Sequence, residues 1–324
     1  MSMRLHARRK DYDAAFSAAQ VITWLLGAGG TDEEELLARL KPFGKDSATG
    51  VLTDRHWHEQ IYRPEQRGPI GGILAIVQSQ AGAIFARDHS ALHIQGRDIR
   101  LDRKRDRVDV ATSMLFFANA YRYVAHTCGM EAMELYKVQG VVGLTLADTW
   151  PHCLIAGEEL FTDQRPKQEL YFHIGRVLAW SRPELSMALL RPREQVELVI
   201  ESAASLGDPS IKTRFNAKTV EKVRRQLARS ISPASQQALK KLAAAYREQR
   251  PDVGAYLEAA EMTATRAGAL LAGDLRVAAR CIAEAPHPDR SQEERRQRDL
   301  VAFCLSEHWT SLRKELGQQV VVPG

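Results

Sequence analysis

Apolar positions in this chain recur mostly at helical spacing, with a cap or breaker between runs. KDYDAAFSAAQVITWLLGA (10–28) predicts a helix that stops at the glycines of GAGG. TDEEELLARLKPFG restarts one, with Thr31 as N-cap, Glu34 three residues on and acids crowding the first turn. KDSATGVLTD reads as a loop, RHWHEQIY as a short helix ending before Pro64, and GPIGGILAIVQSQAGAIFARD as an apolar helix with small residues for close packing. ATSMLFFANAYRYVAHTCGM (111–130) predicts a buried helix. The character then changes. MELYKVQGVVGLTLADTWPHCLIAGEELFT carries short β-branched apolar runs between glycines and Trp150-Pro151, which predicts two or three strands. From Gln168 the helical pattern returns in QELYFHIGRVLAWSRPE and holds to RRQRDLVAFCLSEHWTSLRKEL. The expected fold is mostly α (α+β): a small sheet beside the 168–182 helix, with no repeat at solenoid periods.

Composition narrows the class. The 324 residues are 44% hydrophobic, enough for a sizeable core. No run of eighteen apolar residues occurs, so no membrane partner is expected, and the N-terminus does not read as a secretory leader. Cys128, Cys153, Cys281 and Cys304 are widely spaced without a CxxC pair, which suits buried thiols in a cytoplasmic protein. A net charge of +5 is a mild excess. In the most basic stretch, RDIRLDRKRDRVD, aspartates interrupt the cations and no aromatic is available for stacking. A solvated strand or helix with ion pairs is expected there, not a nucleic-acid surface. No phosphate loop and no Gly-x-Ser-x-Gly elbow is present.

Two strings carry a resemblance. VGLTLADTWPHCLIAGEELFTDQRPKQELYFHIGRVLAW resembles the edge strand, extended segment and helix of the HtpX-like gluzincin zinc peptidases. Glu169-Leu170 match the start of the family's helix, and its His-Glu-x-x-His falls on Arg176, Val177, Leu178, Ala179 and Trp180. EMTATRAGALLAGD resembles the third-ligand helix: Glu261 falls on the third ligand, Thr265 replaces the usual Asp, and Arg266, Ala267 and Gly268 match. The strings "GR.LA..RPE" and "TATRAG.LL..DL" are also similar to C-terminal regions of some bacterial tetratricopeptide-repeat proteins. The likeness covers roughly residues 110–320. It implies a gluzincin-like domain over 111–324, with 1–110 as an N-terminal helical lobe or extension.

The resemblance also implies that the chemistry is lost. A catalytic zinc needs three protein ligands and an open position for water, and only Glu261 remains of the set. Arg176 in a ligand slot repels a cation, Val177 cannot act as a base, and Trp180 fills the space of an imidazole. The vestigial site is therefore Arg176, Val177, Trp180, Glu261 and Thr265, with His173 at its rim and Arg176 expected to pair with Glu261. This reading predicts no cofactor and no catalysis, but a pseudo-peptidase that binds a protein or peptide, with Val142–Leu146 as the candidate docking strand. Two alternatives compete. One is a hydrolase with a relocated metal at His89 and His93, four apart as on a helix face, with Asp88 nearby. The other is a purely structural helical interaction module. His56 and His58, two apart, cannot chelate from one helix face. The adjacent His152 and Cys153 side chains are expected to diverge.

Overall fold

The computed structural model describes residues 2–27, 30–42, 49–162, 165–285 and 289–321. The first part of the loop expected over 45–54 and part of GAGG lie outside them. The chain is mostly helical, with a small four-stranded sheet and two two-stranded pairings among the described residues, the expected class. In the four-stranded sheet the order is Arg107–Val108, Leu135–Val138, Leu154–Gly157, Leu144–Leu146; the middle pair is parallel and the outer pairs are antiparallel. Leu144–Leu146 is thus an edge strand.

Lys167–Trp180, the central helix, shows why local signals matter little here. Its N-cap is Pro166, which offers no capping side chain, and a missing cap costs about 1 kcal/mol. Leu170, Phe172, Ile174 and Leu178 are all but fully buried, each contributing about 1.5–3 kcal/mol. Burial outweighs the missing cap. The helix packs most extensively on Val253–Ala272, the long helix. Glycines set that spacing: a Cβ on Gly268 would sit 2.7 Å from the carbonyl oxygen of Phe172, and one on Gly175 would sit 3.2 Å from Leu271. The two strings singled out in the sequence therefore pack face to face.

Around this pair lies the larger apolar cluster, with Phe117 and Tyr121, Leu275, Leu300, Phe303 and the inner sheet residues Leu135, Leu146 and Leu154. A second cluster joins Pro69–Phe85, Arg193–Gly207, Ala217–Ser230 and Pro233–Gln249. Val21 and Trp57 belong to the first cluster and Ile70 to Val77 to the second, so both span the boundary expected at residue 110. Among the described residues no helix is long and apolar enough to cross a membrane.

Two local expectations need correction, and one left open between strand and helix is decided. Thr31 is the first helical residue rather than the N-cap; Gly30 holds the cap position without a side-chain bond. The charged 92–110 stretch is β, with a hairpin of Leu92–Ile94 and Arg97–Ile99 followed by Arg107–Val108. His89 and His93 do not share a helix face. Asp88 Oδ1 accepts from both the backbone and the hydroxyl of Ser90, which turns the chain at His89, and His93 stands in the hairpin pointing at Asp98, 2.9 Å away. The relocated metal site loses its geometry.

Candidate functional site

Arg176, Trp180 and Glu261 converge. Arg176 projects from the central helix and donates through Nη2 to Glu261 Oε1 on the long helix. Arg296, from the helix Arg290–Cys304, donates through Nη1 to the same oxygen at 3.1 Å. Arg296 is itself buried and also bonds Glu293 and the Ala285 carbonyl. Trp180, one turn beyond Arg176, lines a cleft of about 330 Å³ with Glu261, Leu189, Leu257 and Gln292. Trp180 is 4% exposed, and among the described residues its indole N–H has no hydrogen-bond partner.

The other expected residues stand apart from the cleft. Thr265 turns its hydroxyl back to the Glu261 carbonyl at 3.0 Å. Val177 is buried in the core. His173 is not among the residues lining the cleft. Burial pushes its pKa down to about 4, and Arg176 and Arg165 push the same way, so the ring is neutral at physiological pH. Nor do His56 and His58 come together. His56 accepts from the Thr53 N–H and reaches Glu315 across the fold. The His58 ring stands edge-on to Tyr62 at 5.0 Å.

Electrostatics fix the state of Glu261. Burial alone would raise its pKa, but Arg176 and Arg296 outweigh burial and hold it below the ordinary value of 4.5. The pairing is fully present above about pH 4.5 and is lost as pH falls through the lowered folded value. Glu261→Gln is expected to destabilise the fold by about 2 kcal/mol at pH 7. In denaturant titrations that difference should shrink toward zero below the folded pKa; a difference independent of pH would contradict the assignment. A carboxylate held ionised between two guanidiniums is a weaker base than a free one. Burial pushes the thiol of Cys153 up to about 11 and that of Cys128 up to about 12, so both are protonated at neutral pH. Among the described residues no group of three His, Cys, Asp or Glu is placed to hold a metal ion.

The rest of the two strings fastens the interior. Arg182, in SRPE, stacks on Trp57 at 4.9 Å and bonds Glu184 and Asp54, each at 3.0 Å. The Tyr62 hydroxyl joins Arg182 and Glu184. This cluster walls a second cleft, of about 550 Å³, with Gly71, Gly72, Met130 and Met133. Arg266, in TATRAG, grips Asp299 through two bonds of 2.8 and 2.6 Å, and Arg63 binds the same carboxylate at 2.9 Å.

Arg296 had no place in the resemblance, yet its sequence carried a signal. Arg296, Asp299, Leu300 and Phe303 lie at i, i+3, i+4 and i+7, one buried stripe. Charges on such a stripe must find partners. Comparison of the chain with protein-family models, with curated proteins and with solved structures finds no match.

Proposed function

We propose that this chain is a non-catalytic, metallopeptidase-like module that binds an extended peptide segment along its edge strand. One observation carries the reading. Positions 176, 180 and 261, which the gluzincin resemblance assigns to three metal ligands, converge although 85 residues separate the first from the last, and a guanidinium meets the carboxylate in the metal's place. The cationic charge that zinc would supply to Glu261 comes from Arg176 and Arg296 instead.

The docking edge follows from strand parity. The Gly157 N–H donates to Gly143 at 2.9 Å and the Ala147 N–H to Cys153 at 2.8 Å. Leu144 and Leu146 alternate with these residues and turn their backbone groups away from the neighbouring strand. A peptide can add there by main-chain bonds, with its side chains supplying the specificity.

The test uses the full chain and a random heptapeptide library displayed on phage. Selected peptides should bind the wild type and lose at least tenfold in affinity on Leu144→Pro, a loss of about 1.4 kcal/mol. That proline removes an outward N–H while sparing the internal ladder. Equal binding to both proteins would sink the reading.

A further inference from the structure

The hairpin Leu92–Ile94 and Arg97–Ile99 turns on two residues, Gln95 and Gly96, both at positive φ (51° and 75°). That is the backbone of a two-residue type I′ turn, which favours Asn and Gly. Gln95 is an unfavourable choice at its position, since a side chain other than Asn or Asp gains nothing there. Its amide has a use elsewhere. Nε2 donates to the Val142 carbonyl at 2.8 Å, and the Val142 N–H donates to Oε1 at 3.0 Å. One side-chain amide thus makes with Val142 the paired contact that a residue of an added strand makes with its hydrogen-bonded partner. Val142 stands two residues before Leu144, with Gly143 between them at φ 71°. Val142 is 70% exposed, so little side-chain packing holds this backbone.

We propose that Gln95 is a built-in occupant of the docking edge: it holds the backbone of Val142 in the free protein and is displaced when a peptide adds along Leu144–Leu146. The inference rests on the edge-strand reading above. The hairpin carries the occupant rigidly, because its outer residues pack on the sheet: Leu92 belongs to the same small cluster as Tyr136, Val141 and Ile155. Only the Gln95 side chain has to move. Bonds exposed to water are individually weak, so the occupant tunes affinity and does not abolish binding.

The experiment compares the wild type with Gln95→Asn and Gln95→Ala, using a heptapeptide selected on the full chain. Asn suits the left-handed turn but is one methylene too short to reach both groups of Val142, so Gln95→Asn keeps the hairpin folded. Both variants should bind the peptide about three- to tenfold tighter. In the wild type, saturating peptide should move the Gln95 side-chain amide resonance toward its solvent position. Unchanged or weaker binding to the variants overturns the proposal, as does an amide resonance that stays in place at saturation. Failure of the underlying reading looks different: no peptide would be selected on wild type or variant, or the selected peptides would bind Leu144→Pro equally well.

Discussion

Replacing Asp13 with alanine is expected to lower the unfolding free energy by about 3–5 kcal/mol. Arg313 is 1% exposed, and both oxygens of Asp13 accept from its Nε at 3.0 Å. The guanidinium also donates to the carbonyls of Gly273 and Gln318, and it stacks 5.6 Å from the Trp309 ring. Carbonyls satisfy its N–H groups but carry no countercharge, so Asp13→Ala leaves a buried cation without a counterion. Asp13 also accepts from the Val320 N–H at 3.2 Å, and Val320–Val321 pairs with Lys41–Pro42. One carboxylate therefore ties the first long helix to the end of the chain. The intact pair need not be favourable in itself, since burial pushes the Asp13 pKa up against the pull of Arg313. Hence the double variant Asp13→Leu/Arg313→Met should recover most of what Asp13→Ala loses. Urea unfolding of the three proteins measures both effects. A loss under about 1 kcal/mol for Asp13→Ala would mean that water reaches Arg313.

That ion pair also marks the limit of what the sequence discloses. Elements with local causes were legible. Tyr12–Leu26 begins where the Asp11 side chain accepts from Ala14 and ends at Gly27 in the left-handed region. The β-branched runs at 135–157 became three strands. Thr31 misled because a capping residue and an acidic first turn fit two registers one residue apart. The 92–110 stretch stayed ambiguous because dense charge masks the two-residue alternation, leaving Gln95-Gly96 as the main hairpin signal. The Arg176–Glu261 contact could be posed because a motif proposed it. Tyr62 with Glu184 and Asp13 with Arg313 could not, being 122 and 300 residues apart with no local pattern linking them. What was available was weaker: Asp13 shares a helix face with buried Phe16, Ser17 and Gln20. Such a position says that a partner must exist, without saying which.

On the metallopeptidase-like reading proposed above, placing the family's three residues at positions 176, 177 and 180 should create a metal site. The variant Arg176→His/Val177→Glu/Trp180→His is expected to bind close to one equivalent of zinc, measured by mass spectrometry on protein purified without chelator or nickel. Histidines four apart on the central helix project from one face, and Glu261 stands opposite as the third ligand. Removing Arg176 frees Glu261 from one of its two guanidiniums, and replacing the indole at 180 opens space for a water. The cost is stability. Trp180 is 4% exposed, and losing such a ring costs about 3–5 kcal/mol when truncated to alanine, less with histidine in its place. Zinc at a thousand times its Kd contributes about 4 kcal/mol, so the metal-bound variant should fold and the chelated one should melt several degrees lower. Arg296 still holds Glu261 and opposes the cation, so adding Arg296→Gln should tighten zinc binding further. If both variants fold but neither takes up zinc, then 176, 180 and 261 are not the remains of a metal site. Their convergence would then be ordinary helix packing around a paired carboxylate, and the metallopeptidase-like reading would fall with it.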